Sequence, residues 1–210
     1  MIRTIGDELR HHVPFTLGGA IVGIAVAVAF VYANVPHGTS SVIFWTFHPL
    51  HVFFSAIVTA AMYRLHSKGG LVATFVIGYA GAVGIGTLSD SLIPYLGEWL
   101  LGIHDAHVHG QAHIGFIEMW WLVNPLAILG IVIAIRWPRT KLPHAGHVLL
   151  STGASLFHMI MALGKDVSVA TFFAIPVLLF AAVWIPCCTS DIVFPLLFAP
   201  DERHKAHGKD

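Results

Sequence analysis

The feature that most constrains this chain is its repeated use of long apolar runs. A spanning helix needs about 20 mostly apolar residues, and six runs come up to that length, at roughly 15–34, 42–65, 71–93, 114–136, 145–163 and 168–190. Lipid offers the backbone no hydrogen-bond partner, so such runs must close their bonds within themselves as helices; open sheet edges are excluded. Composition agrees: 10% of the 210 residues are charged, against about 25% in soluble domains. The expected fold is an all-α integral membrane protein with six transmembrane helices.

The basic residues set an orientation. Arg64 and Lys68 follow the second run, Arg136, Arg139 and Lys141 the fourth, and Arg203, Lys205 and Lys209 the sixth. The stretches after the first and third runs carry neither Lys nor Arg, and that after the fifth carries one Lys beside an Asp. By the positive-inside rule this places both termini in the cytoplasm, which suits a bacterial inner membrane. Met1 to His12 reads as a short amphipathic helix rather than a signal peptide, because it lacks an apolar core and a small-residue cleavage site. Zero net charge with neutral histidine argues against a nucleic-acid partner.

Within this apolar chain one polar pattern occurs twice. His48, His51, Ser55 and Thr59 align with His144, His147, Ser151 and Ser155. Spacings of three and four put each set on one helix face. His158 extends the second stripe, where the first has Met62. "VATF" recurs at Val72 and Val169, and "LSDSLIP" and "TSDIVFP" place Asp90 and Asp191 four residues before Pro94 and Pro195. "HVPF" at His12 and "HIGF" at His113 precede the first and fourth runs. The chain thus reads as two three-helix repeats in tandem, residues 1–101 and 102–198, followed by a cytoplasmic tail, 199–210. Three spans per copy force opposite orientations, the inverted arrangement of many transporters. That puts His48, His51 and Asp90 toward the outer face, with the histidine-rich loop that carries His104, His107, His109 and His113. It puts His144, His147 and Asp191 toward the inner face, with His11 and His12.

The residue types point to a metal ion. Imidazole suits zinc, copper, iron and nickel, and two histidines with a carboxylate make a first-row divalent site. Fifteen histidines beside eleven Lys and Arg is a high ratio. Proline lacks the N–H that would bond the carbonyl four residues back, so Asp90 and Asp191 would each pair a carboxylate with a freed carbonyl, an ion-holding device of broken membrane helices. Glu118, near the start of the fourth run, is an intramembrane carboxylate and a candidate by that fact. The cofactor is a divalent transition metal, with Zn, Fe, Mn, Ni, Co and Cu not distinguished.

Plainer readings apply elsewhere. Ser55, Thr59, Ser151 and Ser155, each taken singly, suit helix–helix hydrogen bonding, and Gly18, Gly19 and Gly23 suit close packing. His66, His204 and His207 read as solvated edge residues. Cys187 and Cys188 are adjacent, so no disulfide framework is implied. Their counterparts in the first repeat are Gly86 and Thr87, which favours a structural role for both. Asn124-Pro125 suits a kink.

Three functions fit. The first is a transporter or channel for a divalent metal ion, with paired His and Asp clusters near each face. Its partners are the bilayer, the ion and coupled protons, and oligomerisation is left open. The second is a membrane-embedded metal enzyme, a zinc hydrolase or a His-box oxidase. The third is a b-type cytochrome using His144 with His158 and His51 with His66. Transport rather than catalysis is the expectation.

Overall fold

The computed structural model describes residues 37–67, 69–103, 112–162 and 169–199, with scattered positions between residues 10 and 33. The regular elements of that part are all helices. Helix α1 is His37–His66. Helix α2, Leu71–Tyr79, runs on through two π-helical segments, Ala80–Ile85 and Leu88–Leu92, into α3, Ile93–Leu100. A single turn, α4, Gly115–Glu118, precedes α5, Trp120–Arg136. Helix α6 is Lys141–Ala162, and α7, Val169–Cys188, passes through a third π-helical segment, Thr189–Val193, into α8, Phe194–Leu197.

Three stretches are long and apolar enough to cross a membrane: Gly38–His66, Leu71–Leu100 and Phe173–Leu197. They coincide with the second, third and sixth expected spans. The fourth and fifth correspond to shorter apolar helices, Trp120–Arg136 and Gly146–Ala162. Most of the first expected span lies outside the described residues, as do nearly all of the amphipathic N-terminal segment and the tail from residue 200.

Helix α1 is the hub, packing most extensively against α6 and α5. Its face toward α5 is small and apolar: Ala56, Ile57, Ala60 and Ala61 meet Val123, Ala127, Ile131 and Ala134. Small side chains let backbones approach, which is how membrane helices gain packing energy when lipid supplies no hydrophobic contrast. At Gly130 the approach is close. A Cβ there would stand 2.5 Å from the Phe53 carbonyl oxygen and 3.0 Å from the Ala56 Cβ. On the other side of α5, Leu129 and Val132 are exposed. Exposed Trp120 and Trp121 open α5 and exposed Trp137 follows it. Indoles at both ends of a helix about 26 Å long match the aromatic belts of membrane interfaces.

The helices run on through the Ser-Asp-x-x-x-Pro motifs. The rod continues past Pro94 to Leu100 and past Pro195 to Leu197. The π-helical segments are the reason. Each widens the turn just before its proline, and the Ile93 N–H bonds the Leu88 carbonyl five residues back. With five-residue spacing the carbonyl that would call on Pro94 is that of Ser89, and the Ser155 hydroxyl of α6 donates to it at 2.9 Å in place of the missing proline N–H.

The packing at Gly130 gives a direct test. Gly130→Leu forces side-chain atoms into the α1 backbone, and overpacking of this kind costs about 1–3 kcal/mol. A thermal melt of the detergent-solubilised protein should show a clear drop in Tm, whereas Leu129→Ala on the exposed side should leave Tm nearly unchanged.

Candidate metal centre

The face of α1 away from α5 is polar and fully buried. His48, His51, Ser55 and Thr59 are each at most 1% exposed. A buried polar atom without a partner is costly, so the question is what satisfies them. The answer is two carboxylates carried by π-helical segments. Asp90 lies in Leu88–Leu92 and Asp191 in Thr189–Val193, both fully buried. Wide π turns inside α-helices are frequent at functional sites.

Asp90 is saturated. His48 Nδ1 donates to its Oδ2 at 2.9 Å and His51 Nδ1 to the same oxygen at 2.6 Å. Ser89 Oγ donates to Oδ1 at 2.8 Å and Ser151 Oγ at 3.0 Å. An ionised carboxylate only accepts, with about four lone-pair sites, so all four are used. Against an accepting carboxylate a neutral imidazole carries its proton on Nδ1 and presents Nε2 as its lone pair. This is the geometry in which an outer carboxylate orients a metal-ligating histidine. Asp90 is placed to act as such an orienting acceptor, and its carboxylate also stands with His48 and His51 in a group whose ligand atoms lie within 4.8 Å of one another.

The second carboxylate is held from the opposite direction. Ser55 Oγ and Thr59 Oγ1 of α1 both donate to Asp191 Oδ1 at 3.2 Å, and His147 Nδ1 of α6 stands 3.5 Å from Asp191 Oδ2. In return, Ser151 of α6 bonds Asp90 and Ser155 Oγ donates to the Ser89 carbonyl at 2.9 Å. Each stripe thus gives histidine to the Asp of its own half and hydroxyls to the other half.

Between the carboxylates the stripes touch. The rings of His51 and His147 are 4.5 Å apart, edge to face. Ligand atoms of His51, His147 and Cys187 all lie within 4.8 Å of one another, and so do those of His48, His51 and Asp90. In a tetrahedral zinc site bonds of 2.0–2.3 Å put ligand atoms about 3.5 Å apart, so a small rotation of buried side chains closes either set on an ion. Among the described residues, Nε2 of His48, His51 and His158 is buried and makes no hydrogen bond. Such nitrogens cost about 1–3 kcal/mol each and call for an explanation in a native fold; an ion they can bind is one.

Two expectations change. The clusters were expected apart, one toward each face; the contact of His51 with His147 makes them contiguous, because α1 and α6 pack along their polar stripes. Cys187 was given a structural reading on repeat alignment. Its Sγ donates to Ser151 Oγ at 3.2 Å and belongs to the His51–His147 set. A signal for it was present: Cys187 precedes Asp191 by four, so both share a helix face. Its counterpart Gly86 also lies beside His51, since a Cβ there would come 3.7 Å from the His51 ring.

The remaining candidates divide. His113 is not joined to Asp90 through its ring; its Nδ1 donates to Glu118 Oε2 at 3.1 Å. His158 Nδ1 donates to Glu98 Oε1 at 2.7 Å. Glu98 was missed, although it follows Asp90 by eight residues, about two helical turns. For the cytochrome reading, His66 Nδ1 instead bonds the Met62 carbonyl at 3.0 Å at the end of α1. His11, His12, His104, His107 and His109 lie outside the described residues, and so does the side chain of His144. Comparison with protein-family models, with curated proteins and with solved structures finds no match.

The bonds of Asp90 to His48 and His51 predict what its loss costs. Asp90→Asn replaces an acceptor with a donor at one atom and unseats two imidazoles. Loss of such an outer partner weakens metal binding about 10- to 100-fold. Competition with a chelator measures the loss; equal affinity in Asp90→Asn and wild type would remove Asp90 from the site.

Proposed function

We propose that the protein is an integral membrane conduit for a divalent transition-metal ion, built from two three-helix repeats of opposite orientation with both termini in the cytoplasm. The observation that carries this reading is the His51–His147 contact. It joins the polar stripes of the two halves into one buried line from His48 to Thr59. An ion bound by His48 and His51 passes to His51, His147 and Cys187, and then to Asp191 and the hydroxyls around it. The crossed bonds support the inverted repeat, because a two-fold relation between halves demands reciprocal pairs such as Ser55 to Asp191 and Ser151 to Asp90. Imidazole and thiolate donors favour first-row transition ions over magnesium and calcium. Such donors bind metal only when deprotonated at the ligating atom, so the ion exchanges with protons.

A second reading has one observation in its favour. His51, His147 and Cys187 are three protein donors, the number that catalytic zinc sites use while keeping a fourth position open for water. A membrane-embedded metal enzyme would use the same side chains with no through-path.

Flux separates the two. Purified protein in sealed liposomes with an internal metal-sensitive dye should admit zinc or cobalt. His51→Ala/His147→Ala should abolish uptake and lose bound metal by elemental analysis, while His66→Ala should change neither. Metal bound stoichiometrically with no uptake of any first-row ion would favour the enzyme.

A further inference from the structure

We infer that His113 and His158 form a second transition-metal subsite, distinct from the one around His51, His147 and Cys187. It rests on the reading that imidazoles of this protein take metal ions, and it adds a place where the ion is held before it reaches the centre.

The chemistry of Asp90 is repeated here with different residues. Glu98 is 1% exposed, a carboxylate placed among apolar helices. His158 Nδ1 donates to it at 2.7 Å. Against a carboxylate that accepts, a neutral His158 carries its proton on Nδ1 and presents Nε2 as its lone pair. That nitrogen is buried and makes no hydrogen bond among the described residues. His113 is set the same way. Its Nδ1 donates to Glu118 Oε2 at 3.1 Å, and Glu118 Oε1 is fixed by the Ile114 N–H at 2.7 Å. Ser91, next to Asp90, donates to the His113 carbonyl, which ties the pair to the π-helical segment of the central site.

The two rings are neighbours. Their centroids are 5.6 Å apart at 67°. Two imidazoles bound to one tetrahedral ion through bonds of 2.0–2.1 Å have centres about 5 Å apart. Phe44, fully buried, closes the side, 5.7 Å from His113 and 5.4 Å from His158. His48 stacks on the same Phe44 ring at 5.7 Å, and its Nε2 is turned to Gly115, where a Cβ would overlap it. The next bare nitrogen on the line is therefore aimed at the turn that follows His113.

Two protein donors hold an ion loosely, with water in the remaining positions; structural zinc sites are four-coordinate and closed. The side chains of His113 and Glu118 are 17% and 42% exposed, against 2% for His158, so one side of the pair is open to exchange and the other leads inward. Glu98 and Glu118 are positioning residues in this account.

Cobalt(II) titration of the purified full chain tests it, because a sulfur ligand gives a near-ultraviolet charge-transfer band that nitrogen and oxygen do not. Wild type should bind two equivalents, one of them raising the sulfur band. His113→Asn/His158→Asn should bind one and keep the band. His51→Ala/His147→Ala should bind one without it. Glu98→Gln should weaken only the bandless equivalent, about tenfold or more. Two equivalents in His113→Asn/His158→Asn, or a single sulfur-ligated equivalent in wild type, would overturn the subsite and leave the central metal reading standing. No cobalt binding in wild type would overturn both. Should the double variant lose its helical circular dichroism, His113→Asn alone decides, since its partly exposed ring can be replaced without opening the core: an unchanged bandless equivalent would overturn the proposal.

Discussion

Two carboxylates buried in an apolar bundle organise the rest of this structure. A charge in such surroundings is tolerable only when donors surround it. Asp90 collects four, two imidazole N–H groups and two hydroxyls, from α1, α6 and its own segment. Asp191 collects hydroxyls of α1 and faces His147 of α6. Removing water from these groups makes each bond stronger and each missing partner costlier. Helices α1 and α6 are thereby fixed in register as well as in contact.

The π-helical segments make this possible. A proline four residues after an Asp would strip the Asp carbonyl of its donor in a regular α-helix. The wider turn moves that gap to the preceding carbonyl, that of Ser89 or Ser190, where the hydroxyls of Ser155 and Thr59 meet it. It also places Ser89 beside Asp90, and Ser190 within reach of Ser55, Thr59 and the Gly81 carbonyl. Bulge, proline and carboxylate thus act as one unit, used once in each half.

The halves are alike but not equal, and the inequality bears on chemistry. Asp90 holds the imidazoles of His48 and His51 at hydrogen-bond distance, and His147 stands 3.5 Å from Asp191. The first half has Gly86 where the second has Cys187. A sulfur donor is therefore available on one side of the His51–His147 contact only, and thiolate is softer and more zinc- or copper-selective than imidazole. The ends of the line differ as well. Past His48 it meets the aromatic wall of Phe44 and the His113–His158 pair, and past Thr59 it ends in the hydroxyls around Asp191.

The sequence by itself determined the helical class, the apolar stretches, the polar stripes and the pairing of His with Asp. These follow from periodicity and from the cost of polar groups in an apolar run, both local properties of a chain. His48, His51, Ser55 and Thr59 had to share a face because 3.6 residues make a turn. What the stripes would meet was not local. The orientation argument set His51 and His147 toward opposite faces, yet their rings touch, because α1 and α6 bury their polar faces against each other. Cys187 and Glu98 escaped for a related reason. Alignment of repeats assigns roles by correspondence, and these residues act where correspondence fails, opposite a glycine and beyond a proline. The ligand-like nitrogens were also set by packing: only a carboxylate brought to Nδ1 across the bundle decides that Nε2 is the atom left bare.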